Sequence, residues 1–300
     1  QNVSIGLLAL IAVLPEYAVD IYFAWTAGKD PVYTAYATAN MTGGNRLLIG
    51  IGWPAVMLAC WWKRGEREIH LTENNALELV TLFVATSYSF IIPLKGTISL
   101  MDAFVLLSLF AGYGILSSRA AVEEPEIEGP ALVIADLPRN CRRLAVAGLF
   151  IFAALAIYMA AEPFAEGLLE AGREFGIEEF LLVQWLAPLA SESPEFIVAI
   201  IFAVKGRPAV ALRALVSSKV NQWTLLVGML PIAYALSGHS SAPMLLDPRQ
   251  REEIFLTSTQ SFLAMVMLMN LRFSLREGLI LLLLFSTQVF FPQTSVRYGF

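Results

Sequence analysis

Nine long apolar runs divide this chain: 3–28, 32–62, 76–95, 97–118, 144–162, 178–204, 210–236, 253–271 and 275–291. Most reach the roughly 20 residues that an α-helix needs to cross a hydrocarbon core of about 30 Å. In lipid every backbone polar group must find its partner inside the protein, so only helices and closed barrels span. Barrel strands alternate apolar and polar positions over about ten residues. These runs are continuous and predict helices, so the fold class is an all-α polytopic membrane protein.

Composition removes other classes. Hydrophobic residues make up 57% of the 300 and charged residues 15%, against roughly 25% charged in a soluble domain. Lys and Arg number 20 against 25 Asp and Glu, so no basic surplus exists to hold nucleic acid. Cys60 and Cys141 are single and far apart, and His70 and His239 stand in polar connections. A zinc enzyme and a Ser-His-Asp hydrolase both lack their parts, and no cofactor is expected. Residues 3–14 do not read as a signal peptide, because no basic region precedes them and the run continues past Pro15-Glu16. The first residue is Gln1 rather than Met, so further sequence upstream, with another helix, is expected.

The longest polar stretch, 119–143, carries Glu123, Glu124, Glu126, Glu128 and Asp136, then Arg139, Arg142 and Arg143. It predicts a linker between a first half, 1–118, and a second half, 144–300. With faces alternating along the chain, eleven loop Lys and Arg fall on the face of residue 1 and six on the other. The excess side is cytoplasmic by the positive-inside rule, and it contains the linker. Arg46, Arg213 and Lys219 fall inside runs.

A weak duplication links the halves. Leu14-Pro15-Glu16 in the first run and Ser193-Pro194-Glu195 in the sixth lie 179 residues apart. Each is followed by a turn with Gly and Pro. The next run in each half then carries an asparagine, Asn45 and Asn221, with a glycine seven residues on, at an offset of 176. Five crossings separate the two Pro-Glu runs, so they cross in opposite directions. An inverted repeat of this kind places a substrate site at the midplane of many secondary transporters. A charged carboxylate there needs a partner, a proton or water, and proline frees a carbonyl one turn earlier. Carboxylate, carbonyl, hydroxyl and amide oxygens together suit a hard cation such as calcium. At helical spacing the candidates are Ser191 and Glu192 before Glu195, Ser217 before Asn221, and Asp20 after Glu16.

At these residues the sequence resembles the calcium/cation antiporter superfamily, which holds the sodium/calcium and proton-coupled calcium exchangers. The likeness covers about residues 9–56 and 184–232. The sodium branch has a motif like G-T-S-x-P-E, then G-S-N-x-x-N or D. Here the matching stretches read Ala12-Val13-Leu14-Pro15-Glu16 and Ser191-Glu192-Ser193-Pro194-Glu195, then Met41 to Asn45 and Ser217 to Asn221. The resemblance implies Glu16 and Glu195 as principal calcium ligands, with Asn45, Asn221, Ser191 and Ser217 completing the shell; Glu192 departs from it, adding a carboxylate where the family usually has a hydroxyl. It implies alternating access in a ten-helix fold whose first helix is absent here. The expected partners are the lipid bilayer, that of the cell membrane, and inorganic cations: Ca²⁺ in exchange for Na⁺ or H⁺. Ala12, Val13 and Met41 replace hydroxyls of the sodium branch. Asp20, Glu192, Arg46 and Lys219 are candidate proton carriers or ion-pair members, with Asp20 a possible partner for either cation. Two alternatives stay open: a monovalent cation/proton antiporter on the same fold, and a non-transporting subunit whose site Arg46 or Lys219 closes.

Overall fold

The computed structural model describes residues 14–72, 75–119 and 130–290, the side chains of 130–132 aside. Helix α1 is Leu14–Ala27. Helices α2 (Tyr33–Leu47) and α3 (Trp53–Arg64) form one rod through a π-helical turn, Leu48–Gly52. Helices α4 (Ala76–Ser89), α5 (Ile91–Lys95) and α6 (Leu100–Ser117) come next. Short α7 (Pro130–Ala135) leads to α8 (Arg139–Phe175), and then comes α9 (Glu179–Val204). Helices α10 (Pro208–Asn221) and α11 (Val227–Gly238) again form one rod through a π-helical turn, Gln222–Leu226. The described residues end with α12 (Pro248–Leu268) and α13 (Leu275–Phe290).

All nine apolar runs are helical over most of their described length; residues 3–13 of the first lie outside the described residues, as do 120–129 of the linker. Four stretches are long and apolar enough to cross a membrane by length and composition: Ala76–Lys95, Leu100–Ser117, Arg139–Phe175 and Glu179–Val204. The rods that carry the repeated asparagines are less apolar because they bury polar side chains, among them Thr38, Asn40, Thr42, Asn45 and Arg46. One boundary differs from the expected 144–162. Helix α8 starts at Arg139, within the linker stretch, and runs 37 residues to Phe175. At about 1.5 Å per residue that is roughly 55 Å. Its extension holds Glu166, which accepts from Tyr22 Oη at 2.7 Å and Tyr33 Oη at 2.9 Å. Tyrosine partners keep this carboxylate in a continuous helix where the charge pattern alone predicts a stop.

The two halves interlock. Helix α1 packs on α11, and α9 packs on α2 and α3, so the first helix of each repeat lies against the second rod of the other. Two small antiparallel strand pairs also join the halves. Strand β1 (Glu68–His70) pairs with β4 (Arg272–Ser274), and β2 (Thr97–Ile98) with β3 (Met244–Leu245). The first pair links the loop after α3 to the loop after α12. The second links the loop after α5 to the loop after α11. Counting crossings puts the pairs on opposite faces, where an inverted repeat exchanges them. Helix starts repeat as well. Ser99 and Asp102 form a capping box at α6. Ser274 and Glu277 do the same at α13, where the Ser274 N–H and Oγ both donate to Glu277 Oε2.

Candidate functional site

The π-helical turns fix how the repeats correspond. They begin at Leu48 and Gln222, an offset of 174, not the 176 that aligned Asn45 with Asn221. In that register Gly44 matches Ser218, and Asn45 matches Lys219. Side-chain contacts obey the same register: Gly44 abuts Glu16, while Ser218 Oγ donates to Glu195 Oε2 at 2.5 Å. Asn45 and Lys219 meet each other across the repeat interface. Such turns insert one residue and rotate the remainder of the helix about its axis, and they recur at functional sites.

Glu16 on α1 and Glu192 on α9 are both buried, and both carboxyls face Gly44. Gln222 donates through Nε2 to Glu192 Oε1. Three oxygens of this cluster, Glu16 Oε1, Glu192 Oε2 and Gln222 Oε1, are buried without a hydrogen-bond partner. Gly44 gives the cluster its room. A Cβ there would stand 2.9 Å from Glu16 Oε1 and 3.5 Å from both Gln222 Nε2 and Glu192 Oε1. The neighbouring Gly43 lets α2 and α9 touch, since a Cβ on it would collide with the Gln184 main-chain carbonyl.

The other expected residues take several positions around this cluster. Glu195 is half-buried on Ser218, within electrostatic reach of Glu16 and Glu192. Ser191 donates to the Pro188 carbonyl of its own helix at 3.3 Å. Ser217 hydrogen-bonds Tyr113 Oη at 2.9 Å, and Asn221 accepts from Tyr17 Oη through its main-chain oxygen at 3.4 Å. The structure therefore turns Ser218 and Gln222 toward the carboxyls, and Ser217 toward α6. Asp20 is wholly buried beside Asn40, near Glu16. Arg46 pairs with Glu253 on α12, its Nη2 lying 2.5 Å from Glu253 Oε2, and its guanidinium stacks 4.8 Å from the Trp185 ring centre. Lys219 is fully buried, and its Nζ donates to Asn45 Oδ1 at 2.7 Å and to the Asn45 carbonyl at 2.8 Å. It reaches the site, within electrostatic range of Glu192 and Glu16. Two residues apart on a helix is a rotation of about 200°, which separates Lys219 from Asn221 but not from Ser218 and Gln222.

The profile of the sodium/calcium exchanger protein family matches residues 2–119 and 145–292. This chain belongs to that family. A solved H⁺/Ca²⁺ exchanger, CAX, is 51% identical over 97% of this chain and 74% of its own, with a TM-score of 0.95. The fold is shared with the sodium-calcium exchanger NCX_Mj, at 16% identity, 98% and 88% coverage and a TM-score of 0.64. It is also shared with native YfkE, at 14% identity, 94% and 87% coverage and a TM-score of 0.67. No match was found among curated proteins. As an exchanger of this family the chain is an integral membrane protein with the inverted-repeat antiporter fold.

Within this exchanger the residues that sequence reading missed are Gly44, Ser218, Gln222 and Glu253. A glutamine inside an apolar run was the available signal for Gln222. Glu253 stands at the polar start of the eighth run and carried none. Among the described residues no three His, Cys, Asp or Glu side chains converge to hold a metal ion together. A cation held here therefore draws on amide and hydroxyl oxygens as well as on carboxylates.

Proposed function

We propose that this protein is a secondary antiporter that moves Ca²⁺ against H⁺, binding the cation between Glu16 and Glu192. The observation that carries the reading is the pair of buried carboxyls, Glu16 and Glu192, that meet beside Gly44 across the repeat interface with an oxygen of each left unpartnered. Two ionised carboxylates offer only acceptors and repel each other, so a buried pair with no cation between them favours a proton on one partner. Ca²⁺ prefers six to eight hard oxygens at roughly 2.4 Å. The two carboxyls and the unpartnered Gln222 Oε1 supply five, and Glu195 stands next in line. A divalent cation entering between Glu16 and Glu192 displaces their proton, and a returning proton expels the cation. Competition for one buried, charged site gives exchange, since the empty ionised site is costly to carry across the bilayer. The relative that is an H⁺/Ca²⁺ exchanger supports the same counter-ion. The missing hydroxyls at Ala12 and Val13, and at Gly44 where the other repeat has Ser218, weigh against sodium. In this reading the face of the 119–143 linker is cytoplasmic, the two halves are 1–118 and 144–300, and the host bilayer is the cell membrane.

Calorimetry of the purified chain in buffers of different ionisation enthalpy tests it. Ca²⁺ binding should release a proton, and affinity should fall as pH is lowered, because protons compete. Glu16→Gln and Glu192→Gln should each abolish Ca²⁺ uptake into proteoliposomes under a pH gradient while leaving the melting temperature within a few degrees of the parent. Uptake retained in both variants would overturn the site. The same vesicles decide the monovalent alternative, which exchanges protons without any Ca²⁺ present.

A further inference from the structure

The buried side chain of Lys219 stands at the site, and the proposed exchange cycle does not use it. Asn45 presents two oxygens toward α10, its amide Oδ1 and its main-chain carbonyl, and Lys219 Nζ takes both. Carbonyl and amide oxygens on helices interrupted at mid-membrane are the donors that hold sodium in secondary transporters. The nitrogen is fully buried, stands 5.2 Å from the Trp223 ring centre, and has Glu192 and Glu16 within electrostatic reach. The 174-residue register gives the placement its meaning. Asn45 and Lys219 are equivalent positions of the two repeats, so an amide in one half faces an ammonium where symmetry would place a second amide.

We infer that the Lys219 side chain is a resident cation: it occupies, on the two oxygens of Asn45, the position a monovalent cation would otherwise take, and so makes the exchanger refuse sodium. The inference rests on the cation site proposed above between Glu16 and Glu192. Its physics is charge counting. A sodium ion approaching Asn45 meets one fixed positive charge and finds both oxygens already saturated. A calcium ion between Glu16 and Glu192 meets the same repulsion but carries twice the charge toward the carboxylates. The fixed cation thus penalises a monovalent competitor more than the divalent substrate. Lys219 is a specificity-determining residue in this scheme, and Asn45 holds it in place. The lysine tether also keeps the position filled in every state of the cycle, which a transported ion does not.

The test uses the full chain, purified, with Ca²⁺ affinity measured by calorimetry in sodium and in choline at matched ionic strength. The parent and Lys219→Arg, which keeps the charge, should bind Ca²⁺ equally in both. Lys219→Gln removes the charge and keeps donors for Asn45, so its Ca²⁺ affinity should be about tenfold weaker in sodium than in choline. Lys219→Met, run beside it, removes the donors too and should show the same sodium dependence. Three results would overturn the inference: sodium weakening Ca²⁺ binding to the parent, Gln and Met variants that bind Ca²⁺ but ignore sodium, or variants that fold and bind no Ca²⁺ in either salt. The parent measurement decides even if both neutral variants fail to fold. Failure of the site itself shows separately, as undiminished Ca²⁺ binding in Glu16→Gln and Glu192→Gln.

Discussion

Gly43 and Gly44 are adjacent, and both lack a side chain for different physical reasons. At Gly43 the neighbour is a main-chain carbonyl, that of Gln184, and it cannot move without moving α9. At Gly44 the nearest atoms are the ends of Glu16, Gln222 and Glu192 side chains, which can rotate. Gly44→Ala should therefore leave the fold intact and weaken Ca²⁺ binding about tenfold, or roughly 1.4 kcal/mol, by pushing the Glu16 carboxyl out of position. Gly43→Ala should instead sharply reduce the yield of folded protein, read as the monodisperse fraction on size exclusion. An equal effect on binding and folding from both would contradict this division. Arg46 and Lys219 divide similarly. Both are buried basic side chains lying over a tryptophan, but Arg46 is paired with Glu253, a structural ion pair, whereas Lys219 faces the site.

Helix α10 acts through the face it turns inward. Ser218 and Gln222 lie one turn apart on one face, and both reach carboxyls of α9. Ser217 lies about 100° away and meets Tyr113. Removing the Ser218 hydroxyl takes a hydrogen bond from an ionisable partner, worth about 1.5–3 kcal/mol. Ser218→Ala should thus lower Ca²⁺ affinity by about tenfold or more. Ser217→Ala removes a neutral pair, worth about 1 kcal/mol, and should lower only thermal stability. Isotherms and melting curves on the two variants give the comparison, and a larger binding loss at Ser217 would mean that α10 is rotated the other way. Helix α9 adds a local repair. Pro194 has no N–H for the Ala190 carbonyl, and Ser193 Oγ donates to that oxygen instead at 2.8 Å. The hydroxyl of the Ser-Pro-Glu motif thus supports a broken helix rather than the cation.

At the scale of the whole molecule, the strand pairs and the interlocked helices tie the halves together on both faces. Neither half builds the site alone: Glu16 and Gly44 come from the first, Glu192 and Gln222 from the second. Orientation is testable through Cys141, which is exposed near the start of α8, while Cys60 is buried. A membrane-impermeant maleimide should label Cys141 in inside-out vesicles and leave it unlabelled in intact cells, with Cys60 silent in both. The reverse pattern would place the linker outside. The expected orientation comes from counting apolar runs and loop charges, and hydrophobic length is a property of the chain itself.

Sequence alone determined the helical class, the positions of the runs, the duplicated Pro-Glu helices and the family they resemble. It also singled out Glu16 and Glu195 as the principal intramembrane carboxylates, with Glu192 beside them, since a charge inside an apolar run demands a partner whatever the packing. It did not determine rotation about the helix axis. Ser217 and Asn221 form as good a polar stripe as Ser218 and Gln222, and nothing local distinguishes faces 100° apart. The π-helical turns at Leu48 and Gln222 shift the repeat register from 176 to 174, and they depend on how the rods pack. Partner choice was likewise tertiary. Arg46 meets Glu253 across 207 residues and Lys219 meets Asn45 across 174, because long side chains take the nearest opposite dipole or charge that the folded interior offers.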